Sequence, residues 1–352
     1  MKNTILKSVL AVLLVASFAL TSWGAKKDKR LDIYWVDVEG GAATLIVTPQ
    51  GESILIDSGN PGFRDPNRIA QAITKTAGLQ QLDFLITTHY HGDHFGGAEA
   101  LSRLLPIKAV YDNGEFEGMP EHPGKAYFSF AAGSRSVINP GDTLPLAQSA
   151  EEDSAQVAFR CVGTRQQFIQ PATDAPANKT VCATAREKDR DGSDNANSVV
   201  MLLEFGGFRF YDGGDVTWNN EKKLVCPVNL IGEVDVYQVT HHGLDSSNNP
   251  LVLNSLLPTV AVFNNGHTKG CMPEVFTNLT ATKSIQAIYQ GHKNLRPDGA
   301  TNNTADDYIA NHSAPEECKA NIIKLSVAPH TKSYTISIPA NDHTRTYQTK
   351  IQ

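Results

Sequence analysis

The stretch LITTHYHGDHFGG, residues Leu85–Gly97, places three histidines and an aspartate within six positions. The run that overlaps its start, Leu82–Thr88, is apolar and rich in branched side chains, which predicts a buried strand. His89 and His91 follow with a period of two, so both side chains can lie on one side of the strand's end. Gly92 permits a sharp turn before the helix that the next residues predict.

The four polar side chains of this loop are of the types that bind divalent metal ions. Two neutral imidazoles, His89 and His91, can share one ion, while Asp93 and His94 serve a second. Zinc favours such a set of nitrogen and oxygen ligands. The alternative is a loop whose histidines only form structural hydrogen bonds, but the crowded spacing favours a metal site.

The run HYHGDH also resembles the HxHxDH signature of the metallo-β-lactamase superfamily. The resemblance implies an α+β fold, a four-layer αββα sandwich with two metal ions at one edge of the sheets. The sequence itself supports two sheets with helices outside, because strand patterns dominate early and then alternate with helix patterns. We expect one hydrolase domain over residues 31–352, with a C-terminal β-hairpin extension at about residues 320–352.

Two further carboxylates fit the family pattern. Asp57 ends the predicted strand of ILIDSG, and the resemblance implies that it orients a metal-bound histidine from behind. Asp215 follows two glycines in YDGGDVTW, where the family places a carboxylate that bridges two metals. Each could be an ordinary turn residue, but their order along the chain favours the functional interpretation.

The histidine pair of VTHHGLDSS lies at the end of another predicted strand. We assign His241 as the last ligand of the second metal, together with Asp93, His94 and Asp215. His242 is then left to protonate the leaving group. The opposite assignment stays open, because adjacent residues on a strand point in opposite directions.

Many members of the superfamily supply a third histidine to the first metal, and this sequence has none at the corresponding place. The stretch there reads DNANS, residues 194–198, so the first metal is expected to have His89, His91 and Asp215, with water or an asparagine. This departure and the Asn197–Ser198 pair resemble the ComEC-like branch. That branch includes the hydrolase domains of competence proteins and the phosphorylcholine esterases.

Three residues are candidates for substrate binding. Asn197 precedes the strand that leads to Asp215, and His267 and Lys269 lie in the loop NNGHTKG. The imidazole and the ammonium group could hold an anionic group above the metals. An ordinary polar turn is the alternative for this loop.

These features predict a hydrolase that activates water with two divalent ions, zinc or alternatively manganese. We expect Asp93 to orient the nucleophile and His242 to act as the proton donor. The expected substrate is a phosphoester, with a phosphodiester preferred, because a metal pair suits in-line displacement. A β-lactamase or lactonase is one alternative, and a metal-binding module without turnover is another.

The amino terminus predicts export. Residues 1–25 combine Lys2 and Lys7 with the apolar run SVLAVLLVASFAL and small residues after it, which is typical of a cleaved signal peptide. Cleavage near Gly24 to Lys26 would leave a secreted or periplasmic protein without a membrane span. An uncleaved anchor is the alternative.

Charge and cysteine content narrow the partners and the compartment. The formal net charge is −6, which disfavours tight, non-specific nucleic-acid binding and leaves a small or envelope-borne phosphoester as the expected partner. The chain has 5 cysteines without a CxxC pair, so disulfides are plausible in an oxidising compartment. Three pairings remain open, as do five free thiols: Cys161–Cys182, Cys182–Cys226 and Cys271–Cys318.

Overall fold

The computed structural model describes residues 28–152 and 154–350, so the predicted signal peptide lies outside the described residues. Two large sheets dominate this part of the chain. The seventeen strands are β1 Leu31–Trp35, β2 Thr44–Val47, β3 Ser53–Ile56, β4 Leu82–Ile86, β5 Ile107–Asp112, β6 Ser134–Val137, β7 Val157–Thr164, β8 Gln167–Phe168, β9 Val200–Phe205, β10 Phe208–Asp212, β11 Val236–Gln238, β12 Val260–Phe263, β13 Ala287–His292, β14 Ile309–Asn311, β15 Ile323–Val327, β16 Ser333–Ile338 and β17 His343–Gln348.

The first sheet has nine strands in the order β17-β16-β15-β1-β2-β3-β4-β5-β6. Its strands are antiparallel from β17 to β3 and parallel from β3 to β6. The second sheet has eight strands in the order β14-β13-β12-β11-β10-β9-β7-β8. There β14 to β10 are parallel, and the remaining pairs are antiparallel. Each sheet therefore combines a parallel half with an antiparallel half.

Eight α-helices accompany the sheets within the described residues. They are α1 Arg64–Gln71, α2 Gly92–Phe95, α3 Ala98–Leu104, α4 Lys125–Ser129, α5 Lys179–Cys182, α6 Trp218–Val225, α7 Pro250–Leu256 and α8 Pro273–Ala281. A π-helical turn, Ala72–Thr76, continues α1. Between residues 28 and 350, Asp153 excepted, no helix has both the length and the apolar character that a bilayer crossing demands.

Three apolar clusters define the layers. The largest lies between the sheets and joins residues such as Ile33, Ile56 and Phe210. A second packs α1 and α3 on the outer face of the first sheet, and a third packs α6 to α8 on the outer face of the second. The layers are therefore helix, sheet, sheet, helix, which is the αββα sandwich that the sequence predicts.

The parallel strands place the catalytic candidates at one edge. Asp57 follows β3, the histidine loop follows β4, Asp215 follows β10, and the His241–His242 pair follows β11. The carboxyl ends of parallel strands meet at the same edge of a sheet, which is where open α/β sheets bind ligands. Four segments far apart in sequence therefore converge on one place.

The structure differs from the sequence expectations in three elements. The C-terminal hairpin of β15 and β16 gains a third strand, β17, and β15 pairs with β1, so the extension completes the first sheet. The sequence of residues 141–162 has the pattern of strands, but a strand begins only with β7 at Val157, and residues 141–156 have an isolated bridge at Thr143. The strand expected to run to Gly243 ends at Gln238, and residues 240–243 form a 3₁₀ turn.

One of the three cysteine pairings that the sequence left open is present. Cys182 and Cys226 form a disulfide between α5 and the end of α6. Helix α5 lies inside the polar stretch of residues 164–194, which we call the insertion. Cys161, Cys271 and Cys318 are free thiols, and the first two are buried. The bond therefore ties the insertion to the second sheet's helical layer.

Candidate metal centre

Each of four donor atoms at the sheet edge lies 3.1–3.5 Å from at least two of the others. Nε2 of His94 is 3.1 Å from Oδ2 of Asp215 and 3.5 Å from Oδ2 of Asp93. Nε2 of His242 is 3.1 Å from Nε2 of His94, 3.2 Å from Oδ2 of Asp93 and 3.5 Å from Oδ2 of Asp215. Ligands about 2.0–2.1 Å from a tetrahedral zinc ion are about 3.3 Å apart. The spacing of these four atoms therefore fits one tetrahedral metal ion.

A second group of nitrogens faces the same carboxylate oxygen. Oδ2 of Asp215 is 3.5 Å from Nε2 of His241 and 3.9 Å from Nε2 of His89. The ring of His91 stands 4.7 Å from that of His89, centroid to centroid. Asp215 Oδ2 therefore lies between two sets of nitrogens, as a bridging carboxylate would. The residues that could hold a first ion are His89, His91, Asp215 and His241.

Hydrogen bonds fix the ring nitrogen that carries the proton in His94 and His242. Nδ1 of His94 lies 2.6 Å from Oδ2 of Asp57, and Nδ1 of His242 lies 3.3 Å from the backbone oxygen of Asn264. Carboxylate and carbonyl oxygens only accept, so each Nδ1 donates. The lone pair of each Nε2 is then free for a metal, and Asp57 takes the supporting position expected from the sequence.

Hydroxyl groups do the same for His89 and His241. The Thr88 hydroxyl donates its proton to Asp57 over 2.8 Å, so it accepts from Nδ1 of His89 at 3.0 Å. The Ser247 hydroxyl donates to a backbone carbonyl over 2.9 Å and accepts from Nδ1 of His241 at 3.2 Å. Each hydroxyl has one proton to give, so both rings keep Nε2 unprotonated. In the described part of the chain, the buried Nε2 of His89 has no hydrogen-bond partner.

The charges at the centre also suit a cation. Burial alone would raise the pKa of the Asp215 carboxyl, but His94, His241 and His242 lower it well below its usual range. Burial likewise acts against ionisation of Asp93, and neighbouring histidines with Lys269 hold its pKa below the usual range. Burial lowers the pKa of His89 well below its usual value, which keeps that ring neutral. Ionised carboxylates and the neutral His89 ring are ligand forms that metals require. Burial opposes the charged form of His94, but Asp215 and the other carboxylates raise its pKa well above the usual value, so a bound metal would displace that proton.

The placement of the histidine pair reverses the assignment expected from the sequence. His242 joins Asp93 and His94, whereas His241 lies beside His89 and Asn195. The physical reason is the backbone, since the 3₁₀ turn gives both residues a left-handed conformation with φ of 56° and 54°. A strand geometry was the basis of the expectation, and it does not apply here. Because Nε2 of His242 points at the ligand cluster, this ring is not placed to protonate a leaving group.

Of the two asparagines in the stretch DNANS, Asn195 contacts the centre, and Asn197 forms hydrogen bonds elsewhere. Nδ2 of Asn195 is 3.3 Å from Nε2 of His241, and its buried Oδ1 has no hydrogen-bond partner in the described part of the chain. Asn197 instead donates to Asp194 over 2.9 Å and accepts from Gln166 over 3.3 Å. Its side chain therefore supports the 3₁₀ turn Asp194–Asn197, and its role in substrate binding stays a prediction.

The two candidate residues of the loop NNGHTKG, Lys269 and His267, contact different parts of the structure. Nζ of Lys269 contacts Oδ2 of Asp93, so its ammonium group stands at the metal centre as expected. His267 instead faces His292, with ring centroids 6.5 Å apart, and no described contact joins it to the ligands. Gly270 allows the loop to come close, since its φ is 82° and a Cβ there would lie 2.0 Å from the backbone oxygen of His242.

Sequence analysis expected an asparagine of residues 194–198 at the first metal without singling out Asn195, and it missed Glu121, which contacts His91. Oε2 of Glu121 lies 3.1 Å from Nε2 of His91, and it accepts from the backbone N–H of Asp194 over 2.9 Å. Glu121 belongs to the loop between β5 and α4, next to the exposed His122. An acidic residue in a Pro/Gly-rich loop gives no local signal of such a contact.

A second group of ligand types has the geometry of an ion-pair network. Asp37, His292 and Cys318 bring a carboxylate, an imidazole and a thiol together. Here Oδ1 of Asp37 is only 2.5 Å from Nε2 of His292, a hydrogen-bond distance, and Arg68 contacts the other oxygen at 3.1 Å. Two zinc ligands would stand about 3.3 Å apart. The spacing therefore distinguishes this group from the metal centre.

Comparisons with known proteins agree with this geometry. Residues 36–165 match the metallo-beta-lactamase superfamily. Competence protein ComA of Neisseria gonorrhoeae is 24% identical over 73% of this chain and 30% of its own length. A metal-dependent hydrolase of Cupriavidus necator is 33% identical over 58% of this chain and 60% of its own length. The chain thus corresponds to under two thirds of either relative.

Solved structures give a weaker likeness. A proposed metal-dependent hydrolase from Parabacteroides distasonis superposes with a TM-score of 0.41 at 16% identity, over 76% of this chain and 96% of that one. Recombination protein 2 of Haemophilus influenzae, a further sequence relative, is 26% identical over 66% of this chain and 24% of its own length. Residues 36–165 of this chain thus match the metallo-β-lactamase superfamily, and the sequence relatives of the chain include a bacterial competence protein.

Proposed function

We propose that the chain is a metal-dependent hydrolase that acts outside the cytoplasm on phosphoesters, with phosphodiesters preferred. The observation that carries the proposal is the position of Asp215 Oδ2, which lies within 3.1–3.9 Å of four histidine nitrogens. An oxygen in this position suits a carboxylate that is shared by two divalent ions. The relatives described as metal-dependent hydrolases support the reaction class.

The ligand sets suit zinc, with manganese as the alternative. His94, His242, Asp93 and Asp215 would hold one ion, and His89, His91, His241 and Asp215 would hold the other. When bound, the metals supply Lewis-acid chemistry, which makes water more acidic and offsets negative charge on the substrate. The protein orients the ligands. Asp57 and Thr88 orient the rings of His94 and His89, and His242 supplies the remaining ligand of the second site.

Lys269 supports an anionic substrate. Its ammonium group contacts Asp93, and 38% of the Lys269 side-chain surface is exposed. The side chain can therefore also reach solvent beside the ligands. A phosphodiester keeps one negative charge on its non-bridging oxygens, which an ammonium group can meet. The role of the proton donor, expected for His242, is not assigned to that ring, because its Nε2 belongs to the ligand cluster.

The groove beside the centre is polar. It has a volume of about 990 Å³, its lining includes none of the candidate ligands, and it approaches the centre through Ser246, whose hydroxyl lies 3.0 Å from Nδ1 of His241. Its other lining residues are charged or carry amides, apart from Thr217 and Trp218: Gln166, Glu187, Lys188, Asp189, Arg190, Asp191, Asn219, Asn220, Lys223 and Asp245. Such a lining favours a polar, charged substrate over the apolar group that a lactamase or lactonase pocket commonly holds.

Two observations support export. The amino-terminal residues have the composition of a signal peptide. The disulfide between Cys182 and Cys226 is typical of proteins that fold in an oxidising compartment. Amino-terminal sequencing of the native protein tests this part, with a mature start near Ala25 expected and an intact Met1 in the cytosol as the contrary result.

The substrate experiment compares two chromogenic compounds. Zinc-loaded and manganese-loaded protein is assayed with bis-(4-nitrophenyl) phosphate and with a chromogenic cephalosporin, and Asp93→Asn is the inactive control. We expect phosphodiester turnover that a chelator abolishes and added metal restores. Cephalosporin turnover alone would support a lactamase, and metal binding without turnover of any substrate in a broader ester panel would support a binding module.

A further inference from the structure

We propose that Glu121 is a positioning residue of the metal centre, which orients His91 and thereby sets the affinity of the first metal site. The inference rests on the proposed dinuclear centre and adds a residue to it. Its basis is the contact between Oε2 of Glu121 and Nε2 of His91, at 3.1 Å.

His91 is the ring of the histidine loop that most needs support. His89 and His94 have 0% and 1% of their side-chain surface exposed, whereas His91 has 27% exposed. Burial and the hydrogen bonds to Thr88 and Asp57 hold the first two rings, whereas a partly exposed imidazole is free to rotate unless a partner fixes it. Glu121 is the partner that the described residues offer to this ring.

The carboxylate also decides which nitrogen of His91 can bind a metal. Nε2 of His91 stands 3.1 Å from the Glu121 carboxylate, which occupies that side of the ring and leaves Nδ1 as the nitrogen that can face a metal. Asp57 contacts the opposite nitrogen in His94: it accepts from Nδ1 and leaves Nε2 available for a metal. Carboxylates that hold the second ring nitrogen of a metal-bound histidine raise its basicity, and their loss typically weakens metal binding about 10–100-fold.

Glu121 is itself held in place, which makes the contact more than a flexible surface ion pair. Its Oε2 accepts the backbone N–H of Asp194 over 2.9 Å. The Asp194 carboxylate in turn accepts the backbone N–H of Tyr90 over 2.7 Å, the residue before His91. One junction thus joins the histidine loop, the loop before α4 and the 3₁₀ turn that carries Asn195.

The test measures metal affinity for matched variants. Glu121→Ala and Glu121→Gln are compared with Glu115→Ala, because Glu115 pairs with exposed His122 over 2.8 Å in the same loop and serves as the control. Zinc is titrated against a competing chelator, and the absorption spectrum of cobalt-loaded protein reports the geometry at each site.

For Glu121→Ala we expect one of two dissociation constants to rise about 10–100-fold, with a changed cobalt spectrum for that site only. Glu121→Gln keeps an acceptor for Nε2 and should lie within about five-fold of the wild type. Glu115→Ala should match the wild type. Unchanged constants in Glu121→Ala, or an equal loss at both sites, would overturn the proposal, as would a wild-type chain that binds one ion.

The outcomes also separate this inference from the proposed function. A wild-type protein that binds two ions but cleaves no phosphodiester contradicts the proposed substrate class, while a selective loss in Glu121→Ala would still support the role of Glu121. Phosphodiesterase activity with unchanged metal affinity in Glu121→Ala would contradict only the role of Glu121.

Discussion

His241 and His242 are consecutive in the chain, yet their ring centroids lie 6.2 Å apart and each directs Nε2 to within 3.5 Å of Asp215 Oδ2. The left-handed backbone at both residues produces this divergence. Non-glycine residues pay strain in that conformation, and such strain concentrates at functional sites. One dipeptide can therefore contribute a ligand to each of two adjacent metal sites.

The first prediction concerns this pair. His242→Ala should remove the ion held with Asp93 and His94, so the metal content falls from about two ions per chain to about one. His241→Ala should weaken the other site, which keeps His89, His91 and Asp215. Metal analysis after graded dialysis distinguishes the two. If His242→Ala retained both ions while His241→Ala lost the tighter one, the structural assignment would be wrong.

The second prediction concerns Asp57. Its carboxylate accepts from His94 over 2.6 Å and from the backbone N–H of Thr88 over 2.8 Å. Asp57→Asn replaces one of the two accepting oxygens with an amide N–H that cannot accept, so either His94 or Thr88 loses its partner, and we expect about 10–100-fold weaker binding at the site of His94. Chelator competition measures this, and Asp83→Asn, at a buried carboxylate remote from the ligands, is a matched control. Equal effects of the two variants would count against the predicted role.

Sequence reasoning could identify the ligands of the loop because they are contiguous and follow a strand. The αββα layers followed in the same way, since the strand and helix patterns are local and the described clusters match them. Which of His241 and His242 lies beside Asp93 and His94 could not be predicted in this way. It depends on the chain leaving β11 at Gln238 and turning left-handed, and no neighbouring residue signals that turn.

The amides and Glu121 show a different limit. Asn195 and Asn197 are two positions apart in a 3₁₀ turn, so the sequence does not indicate which of them faces His241. Glu121 reaches His91 across thirty positions because the loop after β5 folds back over the histidine loop. Such a contact is set by tertiary structure, and the residue types on either side do not predict it.

The third prediction concerns Lys269. Lys269→Met keeps the length of the side chain and removes the charge that faces Asp93. A hydrogen bond to a charged group contributes about 1.5–3 kcal/mol, so KM for a phosphodiester should rise about 10–100-fold. Metal content should stay unchanged. Steady-state kinetics on metal-loaded protein test this, and Lys283→Met, at an exposed lysine outside the groove lining, is the control.

The fourth prediction concerns the pH dependence of stability through Glu221. This buried residue accepts the backbone N–H groups of Asn248 and Asn249, and burial raises its pKa to about 8. Between the usual value of 4.5 and about 8, the folded state holds a proton that the unfolded state releases. Stability should therefore fall as the pH rises through this window.

Glu221→Gln separates that contribution from other buried acids. The variant should be less stable than the wild type at low pH, because an amide nitrogen cannot accept a backbone N–H. Its melting temperature should change less between pH 5 and pH 8. Some slope should remain, since burial also raises the pKa of Asp235 to about 6. An equal slope in both proteins would contradict the prediction.

The fifth prediction concerns the disulfide. Cys182 and Cys226 are 44 positions apart, and the bond anchors the insertion that forms part of the groove against α6. Closing a loop of this length stabilises a protein by about 2–4 kcal/mol, so Cys182→Ser should lower the melting temperature by roughly 4–16 °C. Cys318→Ser, at a free thiol, is the control and should change it little. Thermal unfolding with and without reductant measures the effect, and reductant should lower the wild type towards Cys182→Ser without moving the variant. A wild type that reductant leaves unchanged would show that the bond does not form in solution.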